Sequence, residues 1–425
     1  MASVLQPLSG MDMLFILLIF LFLARSLGEL ANIVGQPALI GEISAGILIG
    51  LFARHYAEIF PFLSHISENN AFTLVTDLAI FFLMLEAGLE MAPKELTSSS
   101  LKSMSVAFFG TVLPLGLGLA LGSYYIPDSP YKLAQVFFVG ICLAVTAVPV
   151  TMKILADIGQ QHTSLGRLIA SAAIYDDLLS LFLLAALTGV VSTGKIITFE
   201  QITLIIGNAA IFVVITVLIG HFFYPRFWNQ TFYKFKGRQF DFSILLLFGL
   251  AFSALSEFFG LHFIIGAFVA GLFFVTPKIV SSERHEDLKK AISGVTDGFL
   301  TPIFFVSVGL RFSFEAIWEF PTFVALLIFM AFIGKIVGCG GAAYFAGFKR
   351  NEAFAIGFGM NARGSVELIV VDVALRAGIL TNPVPTPPLV SQLFSAVVTM
   401  ALVTTLVTPF ALKRLLQEKD VAERI

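Results

Sequence analysis

Long apolar segments recur along almost the whole chain, and this repetition limits the possible fold more than any single motif does. A helix that crosses a bilayer needs about 20 mostly apolar residues. By that measure the chain has 13 segments, which run 12–33, 37–53, 71–91, 103–123, 133–156, 164–190, 203–224, 241–257, 261–275, 295–311, 321–347, 352–377 and 388–412. Because lipid cannot hydrogen-bond to exposed backbone, the sequence predicts an all-α polytopic membrane protein with 13 transmembrane helices.

The composition agrees with a membrane protein and excludes several other classes. Charged residues make up 13% of the chain, against about 25% in soluble globular proteins. The net charge of −2 provides no basic surface for nucleic acid. Two cysteines and six histidines without metal-ligand spacing indicate neither a disulfide framework nor a zinc site. We therefore expect the lipid bilayer as a partner, no nucleic acid and no cofactor.

Lysine and arginine are distributed unevenly between alternate loops. If the N-terminus is outside, most loop cations fall on the inner side, including Lys278, Arg284, Lys289 and Lys290. Cytoplasmic loops are the ones enriched in these residues. The bias predicts an outside N-terminus and a cytoplasmic C-terminus.

Two stretches share a glycine pattern. "GQPALIGEISAGILIG" (Gly35–Gly50) and "GLHFIIGAFVAGLFFV" (Gly260–Val275) have three glycines at one constant offset. The match relates segments 1–2 to segments 8–9, which is a shift of seven segments and therefore reverses orientation. The sequence thus predicts 6+1+6 inverted repeats with segment 7 as a linker, an arrangement typical of secondary transporters.

Segments 5 and 12 are repeat partners under that shift, and both are interrupted. Segment 5 contains Pro149, which cannot donate a backbone hydrogen bond. In segment 12, Asn361, Arg363 and Gly364 interrupt an otherwise apolar run. Broken helices expose backbone carbonyls and half-helix ends that can face a small ion. We therefore expect two discontinuous helices and an ion site beside them.

Charged residues inside the segments indicate either function or buried pairing. Asp176 and Asp177 are adjacent in segment 6, and Lys335 lies in segment 11. Neighbouring helical residues point about 100° apart, so one aspartate can line a wet cavity while the other faces a neighbouring helix. A buried Asp–Lys pair that only fixes helix packing is the alternative interpretation. Arg363 and Glu367 have the i, i+4 spacing of an intrahelical ion pair, and we interpret them as compensation for the break.

Seven motifs, taken in order, resemble the monovalent cation:proton antiporter-2 family, which contains bacterial Na+/H+ antiporters and Kef-type transporters. The resemblance covers nearly the whole chain. It rests on "GQPALIGEISAGILIG", "FFLMLEAGLE", "TAVPVTMKILADIG", "AAIYDDLLSL", "PIFFVSVGLR", "GKIVGC" and "GMNARGSVELIV".

The resemblance implies a domain organisation. Segments 1–3 (1–92) and 8–10 (241–312) correspond to a static dimerisation domain. Segments 4–6 (101–190) and 11–13 (321–416) correspond to a core transport domain that moves like an elevator. Segment 7 (203–224) links the halves, and 417–425 forms a cytoplasmic tail. A homodimer in the bacterial cell membrane, with a role in pH homeostasis, is the expected form.

The resemblance also implies roles for individual residues. Helices 5 and 12 cross at their breaks and carry the site. Asp177 binds the cation or a proton, and Asp176 pairs with Lys335 when no cation is bound. Thr146 lines the ion site, so Na+ is expected at Asp177, Asp176 and Thr146. Relatives with two aspartates exchange two protons for each sodium and are electrogenic.

The chain departs from the family pattern at three places. Family members with a "PRGEV"-like motif have an acid where this chain has Ser365, and Glu367 falls two positions later. Ala147 replaces a serine found in some relatives. We also expect the chain to lack the nucleotide-binding regulatory domain of Kef-type proteins.

Three other functions stay open at this point. The first is a K+/H+ antiporter, because the sequence does not reveal the size of the ion site. The second is an intramembrane aspartyl protease, which also needs two membrane aspartates; its Gly-x-Gly-Asp motif is absent here. The third is an ion channel, which would conduct without moving protons. A transporter rather than an enzyme is the expectation.

Overall fold

The computed structural model is helical in all of its regular elements that are described. It describes residues 10–60, 63, 66–90, 101–193, parts of 207–219, 238–274 and 282–422. In chain order the helices are α1 (Gly10–Ile33), α2 (Ala38–His55), α3 (Asn70–Glu90), α4 (Leu101–Tyr125), α5 (Lys132–Ala144), α6 (Val148–Asp157), α7 (Ser164–Thr193), α8 (Arg238–Phe258), α9 (Phe263–Phe274), α10 (Ser282–Val295), α11 (Thr301–Leu310), α12 (Glu315–Glu319), α13 (Pro321–Lys335), α14 (Gly341–Phe345), α15 (Arg350–Gly359), α16 (Ser365–Arg376) and α17 (Pro388–Ala422).

The length and the apolar composition of its helices identify this chain as an integral membrane protein. In the described part of the chain, nine helical spans are long and apolar enough to cross a bilayer, and α5 and α9 are shorter apolar helices. The predicted segment 7 (203–224) lies largely outside the described residues. The count of 13 transmembrane helices therefore stays a prediction.

One predicted boundary is wrong. Hydropathy predicts that segment 10 begins at 295, but helical structure already begins at Ser282 and runs through a π-helical turn, Thr296–Leu300, to Leu310. Lys289 and Lys290, expected in a loop, lie in α10. The reason is that hydropathy detects only the lipid-facing part of a helix, whereas Glu and Lys are good helix formers that extend it into water.

Contacts divide the chain into two compact units. Unit 1 consists of Met1–Met91, Val214–Ser256 and Phe263–Phe312, and unit 2 consists of Ala92–Val213, Glu257–His262 and Ser313–Ile425.

Close helix contacts at glycine hold unit 1 together. The helix α2 packs against α11, and α9 packs against α3. A Cβ atom on Gly46 would lie 2.2 Å from a carbonyl oxygen of α11, and a Cβ on Gly271 would lie 2.2 Å from a carbonyl oxygen of α3. Only glycine allows backbones this close, which is a common means of packing membrane helices.

The glycines of the two similar stretches occupy equivalent structural positions. Gly35 and Gly260 follow α1 and α8 with φ of 76° and 72°, a left-handed conformation that favours glycine. A Cβ on Gly41 or Gly266 would come within 2.0 Å and 2.2 Å of a carbonyl oxygen in the preceding helix. The hairpins α1–α2 and α8–α9 therefore use the same residues for the same turn and the same close contact.

The helix α4 is central to unit 2. It packs against α5, α7 and α13, so helices that are distant in the sequence share one neighbour. This packing brings the charged residues of α7 and α13 to the same side of α4.

Candidate functional site

The first interruption lies between α5 and α6. The helix α5 ends at Ala144 and α6 begins at Val148. The three intervening residues, including Thr146, are buried. Pro149 lies in the first turn of α6, where its missing N–H costs no intrahelical bond. Pro149 thus starts the second half-helix, and the break itself precedes it.

The second interruption lies between α15 and α16. The helix α15 ends at Gly359 and α16 begins at Ser365. Asn361, Arg363 and Gly364 are buried in the intervening segment, and Ser365 is half-buried. Each interruption therefore presents one helix C-terminus and one helix N-terminus inside unit 2.

Hydrogen bonds join the two interruptions directly. The backbone N–H of Ala147 donates to the carbonyl of Ala362 over 2.7 Å. The hydroxyl of Thr146 donates to the carbonyl of Met360 over 3.1 Å, and Thr151 donates to that of Gly359. The carbonyl of Gly359 at the end of α15, which lacks an intrahelical partner, and the carbonyls of Met360 and Ala362 beyond it thus accept hydrogen bonds from the other broken helix.

Arg363 forms the reciprocal cap on α5. Its guanidinium donates to the carbonyls of Cys142 (2.8 Å), Leu143 (2.6 Å) and Val145. A cation is favourable at a helix C-terminus because the unsatisfied carbonyls give that end partial negative charge. The forked guanidinium can reach several carbonyls at once. Arg363 therefore holds the two breaks together as well as closing one of them.

The ion pair predicted within segment 12 is a secondary contact. Arg363 Nε lies 3.8 Å from Glu367 Oε2, and both side chains are fully buried. Glu367 lies in the first turn of α16, where the helix dipole favours an anion. Arg363 therefore compensates the break chiefly through carbonyls of α5, not through Glu367.

The helix α17 fixes the backbone of Arg363. The N–H of Arg363 donates to Thr405 Oγ1 over 3.0 Å, and the Thr405 hydroxyl donates to the carbonyl of Arg363 over 2.9 Å. Thr405 is fully buried. This reciprocal pair anchors the interruption in a third helix.

Asp176 and Lys335 form a buried ion pair. Lys335 Nζ lies 3.1 Å from Asp176 Oδ1, and both side chains have no exposed surface. The hydroxyl of Thr111 on α4 lies 3.0 Å from the same oxygen. The pair joins α7 to α13, as the resemblance implies.

The two adjacent aspartates have different surroundings. Asp176 is fully buried, whereas Asp177 on the same helix is only partly buried. Their side chains leave the helix about 100° apart. The helix geometry therefore places the neighbouring carboxylates in separate environments.

Several buried polar atoms of unit 2 have no hydrogen-bond partner among the described residues. They include Asp176 Oδ2, Ser180 Oγ, both side-chain polar atoms of Asn361 and both carboxylate oxygens of Glu367. Among those same residues, no three His, Cys, Asp or Glu side chains form a cluster that could hold a metal ion. The centre combines the cations of Lys335 and Arg363 with carboxylate, hydroxyl and carbonyl oxygens. Oxygens of these kinds are the ligands that a hard cation takes.

Three of these contributors were not predicted from the sequence. Thr111, Thr151 and Thr405 each donate to, or lie beside, a group at the site. Threonine is common in membrane helices because its hydroxyl can bond to its own backbone. The only available signal was a polar residue in an apolar run, which by itself does not distinguish these three from other threonines.

Comparison with known proteins gives the same family for nearly the whole chain. The family model described as "Sodium/hydrogen exchanger, transmembrane" matches residues 15–418. The chain is 27% identical over 413 residues to the Na+/H+-K+ antiporter GerN of Bacillus cereus, covering 97% of this chain and 98% of GerN. It is 29% identical over 440 residues to the high-affinity Na+/H+ antiporter NhaS3 of Synechocystis, covering 95% of this chain and 89% of NhaS3.

A solved structure shows the same fold. The sodium proton antiporter MjNhaP1 from Methanocaldococcus jannaschii at pH 8 matches with a TM-score of 0.67 at 15% identity, and the match covers 95% of each chain. These matches confirm the expectation of a cation:proton antiporter family and of a transporter rather than an enzyme. The chain belongs to the sodium/hydrogen exchanger family of membrane transporters.

Proposed function

We propose that this protein exchanges Na+, with Li+ as a second substrate, for protons at one site formed by Asp177, Asp176 and Thr146. The observation that carries the proposal is the different burial of the two adjacent aspartates on α7. Asp176 is closed off with Lys335, while its neighbour Asp177 remains partly exposed. Dehydrated Na+ is a hard cation and takes oxygen ligands, which both carboxylates and the Thr146 hydroxyl provide.

Competition at this site couples the two fluxes. A proton neutralises the same carboxylates that the cation needs, so either ligand displaces the other. When Na+ leaves Asp176, Lys335 supplies the positive charge instead. An uncompensated carboxylate is costly in the membrane, and the site therefore crosses the apolar layer only when it is filled or neutralised.

Equivalent glycines in two hairpins support the inverted repeats on which this mechanism depends. The paired glycines of α1–α2 and α8–α9 make equivalent turns and contacts, and the two breaks exchange hydrogen bonds. In the proposed 6+1+6 arrangement, 101–190 and 321–416 form the moving core. The segments 1–92 and 241–312 form the static dimerisation domain, with 203–224 between the halves.

We assign the remaining properties from the family resemblance. They are an elevator movement, electrogenic exchange of two protons per Na+, and a homodimer in the bacterial cell membrane. The N-terminus lies outside, and the C-terminal tail (417–425) is cytoplasmic. Na+ and H+ are the transported substrates, and we expect no cofactor.

A second candidate substrate is K+. The name of GerN includes K+ beside Na+, and GerN matches nearly the full length of this chain. The assay below therefore includes K+ as a separate arm.

The test is proton movement in proteoliposomes that contain the purified full-length protein and a pH-sensitive dye. Addition of Na+ or Li+ is expected to drive proton movement with the wild type, and Asp177→Asn is expected to abolish it. Asp157→Asn is the matched control, because Asp157 is exposed at the end of α6 in the same unit, and it should retain exchange. Full exchange by Asp177→Asn contradicts the proposed carrier. A response to K+ alone favours the second candidate.

Thr146 has a matched control in Thr408. Both side chains are fully buried in unit 2, but the Thr408 hydroxyl donates to the carbonyl of Thr404 in its own helix, α17. Thr146→Val is expected to raise the KM for Na+ about tenfold, equivalent to about 1.4 kcal/mol, because one oxygen ligand is lost. Thr408→Val should leave the KM unchanged. Equal KM values for the two variants would remove Thr146 from the ion site.

A further inference from the structure

A groove on the surface of unit 2 lies between α4 and the continuous helix formed by α13, the π-helical turn Ile336–Gly340 and α14. Its volume is about 650 Å³, within the range of about 300–1,000 Å³ of typical ligand sites. We call it the Lys102 groove. Its apolar walls and floor come mainly from Leu101, Phe109, Val337, Gly341, Ala342 and Phe345.

The Lys102 groove opens onto the surface. The exposed fractions of Leu101, Val337 and Phe345 are 80%, 53% and 90%. Exposed apolar side chains on the membrane helices of an integral membrane protein are suited to contact with hydrocarbon. A Cβ atom on Gly341 would meet no atom within 4 Å, so a larger side chain at this position would extend into the groove without a clash at its first atom. An acyl chain is the ligand class that matches such a wall.

Cationic side chains lie at one end of the Lys102 groove. Lys102 lines it, is exposed, and has Nζ 5.9 Å from the centre of the Phe348 ring. Lys349 and Arg350 follow that ring directly in the sequence and are also exposed. The neighbouring acid, Glu352, accepts the backbone N–H of Lys349 at 3.0 Å. This end therefore presents cationic side chains where an apolar channel meets the membrane surface.

We propose that the Lys102 groove binds an anionic phospholipid, with one acyl chain along the wall and the phosphate at Lys102 and Lys349. The order of chemistry along the groove, first apolar and then cationic, matches the order of tail and phosphate in a lipid. A helix from a second copy would match the wall but not the charge. The wall includes the turn that directly follows Lys335, so the bound chain packs against the backbone that carries this lysine.

Native mass spectrometry of the full-length protein tests the site. The probes are phosphatidylglycerol and phosphatidylcholine with identical acyl chains. The wild type should retain phosphatidylglycerol preferentially. Lys102→Gln and Lys349→Gln should each weaken its binding about fivefold, which corresponds to about 1 kcal/mol per cation. Equal retention of both lipids by the wild type would overturn the proposal.

A groove-filling variant has a close control. Gly341→Phe fills the groove and should remove one bound phosphatidylglycerol. Gly116→Phe should not, because Gly116 is exposed on α4 with open space around its Cβ and does not line the groove. Undiminished lipid binding by Gly341→Phe contradicts the proposal. So does loss of self-association without loss of lipid, which would identify a second copy as the occupant.

A photoreactive lipid tests the wild type without any substitution. Phosphatidylglycerol with a diazirine on its acyl chain should label peptides from 101–113 and 337–346 more strongly than the phosphatidylcholine analogue does. Equal labelling by both probes, or labelling confined to other surfaces, overturns the site. This experiment decides the matter even if Gly341→Phe does not fold.

Discussion

Unit 2 buries two cationic side chains, Arg363 and Lys335, in very different surroundings. Arg363 donates to backbone carbonyls at Cys142, Leu143 and Val145, and its own backbone is held by α17. Within the described residues, Lys335 has one hydrogen-bonded anionic partner, Asp176. One cation is therefore bound by many fixed groups and the other by a single side chain.

The difference lies in what the partners can do. A backbone carbonyl does not take up a proton in the physiological pH range, and its position is set by the helix to which it belongs. A carboxylate can be neutralised by a proton or a metal cation, and its side chain can turn. We infer that Arg363 is a permanent structural connection between the breaks. In the exchange mechanism that we propose, the Lys335–Asp176 pair is the connection that opens.

Removal of Arg363 should have the largest effect on stability. Arg363→Met leaves the α5 carbonyls and buried Glu367 without their cation, and we expect a loss of about 5 kcal/mol in the free energy of unfolding. A thiol-reactive fluorophore can follow thermal unfolding, because Cys142 and Cys339 are both free and buried. Arg350→Met is the control: Arg350 is exposed, so the change should stay within about 0.5 kcal/mol. Wild-type stability of Arg363→Met would mean that the breaks do not depend on this cap.

Removal of Lys335 should have a smaller effect, because Lys335 donates to one carboxylate among the described residues, whereas Arg363 donates to three carbonyls. We expect Lys335→Met to cost about 3 kcal/mol, and the double variant Asp176→Asn/Lys335→Met to return within about 1 kcal/mol of the wild type. The same unfolding assay, applied to both single variants and the double variant, completes this double-mutant cycle. A double variant as unstable as the sum of the single variants would show that the pair is not a separable unit.

Thr111 should have the smallest effect of the three. Thr111→Val removes a hydroxyl 3.0 Å from Asp176 Oδ1, and the expected loss is about 1 kcal/mol. Thr399→Val is the matched control, because its hydroxyl donates to a carbonyl of its own helix at Ser395. If the two variants lose equal stability, the contact of Thr111 with the ion pair contributes nothing beyond an ordinary helical hydroxyl.

Much of the candidate site could be predicted from local sequence. The adjacent aspartates, the lysine in an apolar segment and the paired interruptions are visible as polar residues where hydropathy predicts lipid. The cap on α5 could not be predicted, because its acceptors are backbone carbonyls, which every residue has. Arg363 and Cys142 are also far apart in the chain, and no spacing rule connects them.

The helix α10 begins earlier than hydropathy predicts, which is a second case where local sequence did not predict the structure. Hydropathy measures preference for lipid. The polar residues of Ser282–Val295 have no such preference, but they still form a helix. Hydropathy and helix propensity are separate properties, so the end of an apolar segment is not the end of a helix.

By itself, the sequence determined which segments are apolar enough to enter a membrane, where the helices are interrupted and which charges enter with them. These properties depend on consecutive residues and can be read locally. The family resemblance already implied that Lys335 pairs with Asp176. Only the tertiary structure decided that Arg363 closes α5, that Thr111 lies beside the ion pair, and that Asp177 remains partly exposed. The physical reason is that hydrogen bonds and ion pairs require contact within a few ångströms, and packing around α4 and α17 creates those distances.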